Sequence, residues 1–336
     1  MKYVSLETVC DILDSQRVPI TASERTKGKY PYYGANGIQD YVAEYLFDDE
    51  LVLLAEDGGN FGSKDRPIAY RVSGKCWVNN HAHVLKPKST INVDYLCYSL
   101  MFYDTTGLVN GATRQKLTQA AMRQMQIPLV PMEEQLQIVE KLNRIAELRS
   151  QREQQLQQLD MLVKSRFIEL FGDPITNSKK LPQERMEQRF NLKAGITTAA
   201  DDIHEFEADK YETPCYGGNG IRGYVKDKSY SGSYPIIGRQ GALCGNVQYA
   251  TGDFHATEHA VLVSVLKDDN TVWVYHLLKL MDLYRYHTGA AQPGLAVKTL
   301  NTVSVIVADK AAQNEFAAFV EHTDKLKFYG SLEVAA

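Results

Sequence analysis

One pattern constrains this chain more than any other: it states nearly the same thing twice. Tyr33-Gly34-Ala35-Asn36-Gly37-Ile38, followed by Tyr41-Val42, returns 183 residues later as Tyr216-Gly217-Gly218-Asn219-Gly220-Ile221, followed by Tyr224-Val225. Gly58 and Gly62 recur at the same offset as Gly241 and Gly245. After a five-residue shortening, His81-Ala82 matches His259-Ala260, Gly111-Ala112 matches Gly289-Ala290, and Leu117 matches Leu295, all at 178. A register kept across a whole half marks duplication, so the fold is two similar modules, each able to bury its own core in a chain of 336 residues.

Each module is expected to open with a short amphipathic stretch (Leu6, Val9, Ile12 and Leu13 in the first) and then turn rich in Gly, Tyr, Asn and β-branched residues. Leu51–Leu54, Ile68–Val72, Tyr234–Ile237 and Ala260–Val263 read as strands bounded by turn signals. Val93–Phe102 and Val272–Tyr286 read as one helix per module, and Ile127–Val130 and Val303–Val307 as closing strands. From Glu133 to Phe171 there is neither Pro nor Gly, and Leu142, Ile145, Leu156, Leu159, Val163 and Leu170 fall near a heptad seam. That predicts a helix roughly 58 Å long, stopped at Gly172-Asp173-Pro174. A second helical stretch, Ala311–Phe328, is expected to break at Gly330 and so to be shorter. The reading is α+β: α/β modules at 1–131 and 173–308, a spacer helix at 132–172 and a shortened one at 309–336.

Charge and cysteine usage narrow the class. The formal charge of −4 argues against a strongly basic nucleic-acid binder. Residues 1–131 and 174–308, however, each balance 14 basic against 14 acidic residues, and the excess acid lies in the helical regions between and after them. Ser63–Lys88 is locally basic, with Lys64, Arg66, Arg71, Lys75, Lys86 and Lys88 against Asp65. Five dispersed cysteines, never spaced C-x-x-C, point to reduced thiols in a cytoplasm. No apolar run reaches the roughly 20 residues a membrane span needs, and no signal-peptide core is visible.

Two catalytic-looking strings fail on context. Gly218-x-Gly220-x-x-Gly223 fits a dinucleotide fingerprint, but Tyr224-Val225-Lys226 follows as a strand where a helix is required. His255-Ala256-Thr257-Glu258-His259 fits a zinc pattern, yet ligation at that spacing needs a helix, and a strand follows. A zinc hydrolase using His255, Glu258 and His259 therefore stands as an alternative only, beside a bivalent adaptor with no nucleic-acid role. The polar loops suit reading of base edges better, because amides pair with adenine and cations with guanine. The candidates are Asn79, Asn80, His81, His83, Thr113, Arg114, Gln115 and Lys116 in the first module. In the second they are Asn219, Arg222, Arg239, Gln240, Thr257, Glu258, His259 and Gln292. Lys64, Arg66, Lys86 and Lys88 are candidates for steering phosphates.

The chain resembles the specificity subunits of Type I restriction–modification systems over essentially its whole length. The resemblance is carried by Tyr32-Tyr33-Gly34-x-Asn36-Gly37-Ile38, by Asn80-His81-Ala82-His83-Val84-Leu85, and by Gly111-Ala112-Thr113-Arg114-Gln115-Lys116-Leu117 leading into Ile127-Pro128. It continues through Pro131-x-Glu133-Glu134-Gln135-x-x-Ile138-Val139 to Leu170-Phe171-Gly172-Asp173-Pro174. It implies two target-recognition domains held apart by two antiparallel helices, each reading half of a bipartite, asymmetric site in double-stranded DNA. It implies two modification subunits that bring S-adenosylmethionine, and restriction subunits that bring ATP and Mg; no cofactor and no catalysis belong to this chain. The shorter second helix departs from the pattern, which would leave part of 142–163 uncovered for self-association.

Overall fold

The computed structural model describes residues 2–111, 114–289 and 292–335, the last seven by their backbone alone. The chain divides into two compact units, Met1–Leu148 and Arg149–Ala336.

In the first unit the elements are β1 (Lys2–Ser5), α1 (Leu6–Val9), β2 (Cys10–Ile12), β3 (Lys27–Gly34), β4 (Gly37–Val42), β5 (Phe47–Ala55), β6 (Ala69–Val78) and β7 (Ala82–Pro87). Then come α2 (Val93–Met101), β8 (Val109–Asn110), β9 (Lys116–Leu117), α3 (Gln119–Arg123) and β10 (Gln126–Leu129). Six strands form one sheet in the order β2-β7-β5-β6-β3-β4, antiparallel except where β3 runs parallel to β6. The unbroken apolar run Leu51–Ala55 follows from burial on both sheet faces, since successive side chains point to opposite sides. Val52 and Leu54 pack with Leu85, Leu96, Leu100 and Ile127, whereas Leu51 and Leu53 pack with Val72, Val78 and Val84. Asn92 caps α2 by accepting hydrogen bonds from the Asp94 and Tyr95 N–H groups.

The helix α4 (Met132–Phe171) follows, its start in the first unit and its end in the second. The second unit continues with β11 (Gln183–Arg185), α5 (Met186–Arg189), β12 (Phe190–Ala194), β13 (Thr213–Gly217), β14 (Gly220–Val225), β15 (Tyr230–Gly238), β16 (Val247–Ala256) and β17 (Ala260–Val265). It closes with α6 (Thr271–Leu280), α7 (Val297–Asn301), β18 (Ser304–Ile306) and α8 (Lys310–Ala335). Its sheet order, β12-β17-β15-β16-β13-β14, repeats the first unit strand for strand, again with one parallel pair, β13 with β16. The pairing of β1 with β10 likewise returns as β11 with β18. Phe167 and Phe171 of α4, Trp273 of α6 and Phe316 of α8 form an aromatic cluster in the core of this unit.

Several expectations are corrected. The opening amphipathic stretch is helical for one turn only and then pairs as β2, because Cys10–Ile12 hydrogen-bonds to β7. α2 stops at Met101, leaving Phe102 exposed. The stretch expected as one helix to Tyr286 ends at Leu280; Asp282 takes left-handed backbone (φ 49°) and a 3₁₀ turn, Leu283–Tyr286, follows. The last helix does not break at Gly330 but continues to Ala335, since glycine costs a helix only about 1 kcal/mol relative to alanine. Within the second unit α8 runs antiparallel to α4: Arg166 pairs with Glu315 (2.6 Å), Asp160 with Lys327 (2.7 Å), and Arg152 donates to the Lys327 carbonyl (2.6 Å). These contacts lay α8 along one face of α4 back to Arg152, while Met161 and Leu162 on α4 stay exposed. Among the described residues no helix is long and apolar enough to cross a membrane.

Candidate nucleic-acid interface

In the first unit the ends of β5 and β7 and the start of β9 meet at one polar rim. Backbone pairing fixes it: the Glu56 N–H donates to the His81 carbonyl (2.9 Å), the Leu117 N–H to the Glu56 carbonyl (2.7 Å), and the Gly58 N–H to the Gln115 carbonyl (3.2 Å). Gly58 adopts φ 62°, a conformation that glycine takes without strain. Asp57 lies at the centre of the rim. Its Oδ1 is 2.7 Å from His81 Nδ1 and 2.6 Å from Arg114 Nη2, and Arg114 Nη2 lies 3.3 Å from His81 Nδ1. Asn36, at the turn between β3 and β4, donates to the Gly58 carbonyl (3.0 Å). Arg114, Gln115 and Lys116 are exposed and His81 partly so.

Beneath the rim is a second layer of charge. Glu56 accepts from Arg17 (2.6 Å) and Lys116 (3.0 Å); His83 Nδ1 meets Asp14 Oδ2 (2.6 Å) and its Nε2 the Leu117 carbonyl (2.9 Å). Burial pushes the Asp14 carboxyl up, but His83, the Val84 N–H and Arg17 outweigh it and hold it below the usual aspartate range. Glu56 is likewise held down by Arg17, Lys116 and His83 against its burial. Asp14, Glu56 and His83 form the one metal-capable trio among the described residues. Arg17 and Lys116 already neutralise it, so it reads as an ion network.

The second unit builds the same backbone frame from other side chains. The Arg239 N–H donates to the His259 carbonyl (3.0 Å), the Leu295 N–H to the Arg239 carbonyl (2.8 Å), and the Gly241 N–H to the Pro293 carbonyl (2.9 Å). Gly241 has φ 82°. Arg239 and Gln240 thus occupy the places of Glu56 and Asp57, and Gln292 that of Arg114. Glu258 lies 3.3 Å from His259 Nε2 and accepts from the Thr198 N–H (3.4 Å). Among the described residues, Arg239 Nε and His259 Nδ1 are buried atoms without partners. Asn219, in the turn between β13 and β14, accepts from Asn246, while Arg222 stands exposed on β14.

Not every sequence candidate reaches the rim. His83 is fully buried, Thr257 likewise, and Asn79 nearly so. Asn79 donates to Gln39 (3.1 Å) and accepts from the His81 N–H (2.8 Å), which makes it a brace for the turn. As placed, these three offer no side-chain surface to a partner and are left out of the interface. Asn80 is exposed beside His81. Lys64 and Arg66 are exposed on the loop between β5 and β6. Lys86 pairs with Asp49 (2.6 Å), and Lys88 donates to the Glu7 carbonyl (3.1 Å), so neither is a free cation. Thr113 lies outside the described residues. Asp57 and Asn246 escaped the sequence reading; the signal for Asp57 was its place just before a repeated glycine, matched by Gln240 before Gly241.

The apparent motifs dissolve into turns. Gly218–Gly223 is the β13–β14 hairpin with Gly220 at φ 103°, not a strand-to-helix loop. His255 is the penultimate residue of β16 and His259 sits in the following turn. The His255 ring is held by Thr198 Oγ1 (2.8 Å) at Nε2 and by Ser229 Oγ at Nδ1, and burial lowers its pKa. That strand–turn geometry, with both ring nitrogens engaged, does not favour the zinc reading.

Comparison with known proteins agrees with this duplicated frame. The Type I restriction modification DNA specificity domain matches residues 1–159 and again 186–328. The type I restriction enzyme EcoprrI specificity subunit of Escherichia coli is 46% identical over 154 residues, 46% of this chain and 37% of that one. A putative type I restriction enzyme specificity subunit of Haemophilus influenzae, S.HindORF215P, is 38% identical over 151 residues, 45% of this chain and 39% of that one. The match thus spans well under half the length of either relative. Among solved structures, the S subunit of a Type-I restriction-modification system from M. genitalium superposes with TM-score 0.65 at 15% identity, covering 99% of this chain and 92% of that one. A chain from work on complex assembly and conformational transition of the type I R-M system gives 0.53 at 14% identity, covering 99% and 93%. These two share the fold. With two copies of the domain matched over most of its length, the chain belongs to the family of Type I restriction modification DNA specificity domains.

Proposed function

We propose that this chain is the non-catalytic DNA-recognition subunit of a Type I restriction–modification complex. Each unit reads one half of a bipartite, asymmetric site in double-stranded DNA, and α4 with α8 sets the unread gap and docks the modification subunits. Those subunits supply S-adenosylmethionine and the methyl-transfer chemistry, and restriction subunits supply ATP-driven cleavage, all in the cytoplasm. The observation that carries this reading is the rim: one backbone frame made twice, edged with different polar side chains in the two units. Scaffold constancy with edge variation is what reading two different half-sites requires. Lys64 and Arg66 contact phosphates, which position the protein without specifying sequence. Asn80, His81, Arg114, Gln115 and Lys116 in one unit, and Asn219, Arg222, Arg239, Gln240, Glu258, His259 and Gln292 in the other, face base edges.

Selection of bound duplexes from a random pool, with the full chain and its modification subunits, tests this. A bipartite consensus is the expected result, and Arg114→Ala should lower affinity for it by about 5- to 150-fold, the worth of one bidentate base contact, while subunit assembly stays intact. Selection of no sequence by the assembled complex would remove the proposal.

A further inference from the structure

The two rims differ at one structurally equivalent pair of exposed side chains. In the first unit it is Asp57 with Arg114, joined at 2.6 Å; in the second it is Gln240 with Gln292. The equivalence rests on backbone geometry as well as offset. Asp57 bridges Lys116 as Gln240 bridges Gly294. Gly58 and Gly241, the next residues, both take positive φ. At the other end, Gly111 and Gly289 both turn at positive φ (101° and 88°), and a Cβ on either would strike the carbonyl oxygen of Arg114 or of Gln292. One position therefore carries an ion pair in one unit and two amides in the other.

We infer that this pair sets the purine each unit reads: guanine through Arg114 steadied by Asp57, and adenine through Gln240 and Gln292. The inference rests on the proposed DNA-reading function. A guanidinium offers adjacent N–H donors to the two acceptors O6 and N7 of guanine, whereas a glutamine amide offers one donor and one acceptor to N7 and N6 of adenine. Asp57 takes one N–H of Arg114 Nη2; Nη1 has no partner among the described residues, and with the second Nη2 N–H it forms the end-on fork left for guanine. An exposed pair of this kind adds about 0–1 kcal/mol of stability, and Arg114 is 61% exposed. Its consequence is orientation rather than stability. The carboxylate fixes the plane of the fork before DNA arrives; a Cβ at the neighbouring Gly58 would only come into van der Waals contact with Arg114 Nε, at 3.4 Å.

A bare carboxylate facing phosphates would repel them, so an acidic rim needs its charge answered. Asp57 is answered by Arg114, and Glu56 by Arg17 and Lys116. At the places of Glu56 and Asp57 the second unit has Arg239 and Gln240, and its rim acid is instead Glu258, 3.3 Å from His259 Nε2. Gln240 and Gln292 are exposed, and among the described residues neither side chain is paired, so both remain available for an adenine edge. Asp57 is accordingly a positioning residue that acts through Arg114.

The test exchanges the pairs and reads the selected sequence. The full chain with its modification subunits is used as wild type, as Gln240→Asp/Gln292→Arg, as Asp57→Gln/Arg114→Gln, and as Asp57→Asn. The first exchange should convert one adenine to guanine in one half-site, and the second one guanine to adenine in the other, each changing preference by about 5- to 150-fold. Asp57→Asn should relax discrimination at that same guanine while overall affinity stays within a few fold, a split that mere loss of packing would not give. A wild-type consensus that persists unchanged at every position in both exchanged variants overturns the pair assignment and leaves the DNA-reading function standing. Loss of all selection in both exchanged variants, with their unfolding transitions intact, also overturns it. A wild-type complex that selects no sequence removes the DNA-reading function itself.

Discussion

The two units share a strand order and a rim frame, yet they differ in what they bury at one corresponding place. The Lys88 N–H donates to the Val9 carbonyl (2.9 Å) and, in the second unit, the Leu266 N–H to the Arg189 carbonyl (2.8 Å), so Val9 and Arg189 are counterparts. Ile91 and Asp269 are likewise counterparts, each immediately before the asparagine that caps α2 or α6. Val9 and Ile91 lie in one apolar cluster. Arg189 and Asp269 form a two-point ion pair, with Nε to Oδ2 at 3.0 Å, and Gln313 donates to Asp269 at 2.8 Å. One fold thus accepts either solution, because a buried pair that is fully hydrogen-bonded roughly offsets its own desolvation.

The largest expected effect follows from that contrast. Arg189→Ala leaves Asp269 charged and nearly inaccessible, which should cost about 3–5 kcal/mol, whereas Arg189→Val with Asp269→Ile should be neutral or stabilising by about 1–4 kcal/mol. Gln313 keeps a second acceptor, the Ala308 carbonyl at 3.0 Å, in the double variant. Hydrogen exchange resolved to each unit checks this. Equal destabilisation by the single and the double variants would show that the pair supplies something an apolar pair cannot.

Acid should separate the units next. His276 on α6 corresponds to Tyr98 on α2 by the repeat offset. Burial, helped by the nearby Lys279 and Lys327 and opposed by Asp160, lowers the His276 pKa to about 4. The unfolded imidazole then takes a proton near pH 6.5 that the folded one refuses, so the second unit loses stability as pH falls from about 6.5 towards 4. The full loss is about 3 kcal/mol. His255, whose pKa burial also lowers, acts in the same direction. In the first unit Asp14 and Glu56 sit below their ordinary values, so the stability they add persists until pH falls below roughly 4. The chain carries two tryptophans, Trp77 and Trp273, one per unit. Denaturant titration followed in single-tryptophan variants should therefore show Trp273 weakening first, and His276→Tyr should flatten its response. Parallel loss at both tryptophans would sink the assignment.

How far the sequence could see depends on the range of each interaction. The glycine frame was legible because Gly58, Gly241 and Gly220 answer a local demand for positive φ. The long helix was legible because a 39-residue stretch without Pro or Gly has no local exit. Asp57 was not, since its partner Arg114 is 57 residues away and an acid looks misplaced in a DNA reader. His83 was misassigned for a related reason. It lies on β7, a strand buried on both faces, where a histidine is structural if paired, and Asp14 pairs it from 69 residues away. Gly330 was misread as a stop because its penalty, about 1 kcal/mol, is too small to end a helix by itself.

The smallest expected effect concerns the two rim glycines. An alanine at either Gly58 (φ 62°) or Gly241 (φ 82°) must adopt left-handed backbone, at a cost of about 1–2 kcal/mol. Stability should therefore fall alike in the two units. Their surroundings differ, however: a Cβ at Gly241 meets nothing within 4 Å, while one at Gly58 touches the Arg114 guanidinium at van der Waals distance, 3.4 Å from Nε. Gly58→Ala should then also change base discrimination in the first half-site, by no more than a few fold, through that added contact with Arg114, with Gly241→Ala leaving the second half-site unaltered. Thermal unfolding together with duplex selection on the two variants separates strain from contact. If Gly241→Ala blurred its half-site as much as Gly58→Ala does, the frame itself would be reading DNA in both units, and the side chains at the rim would matter less than their spacing.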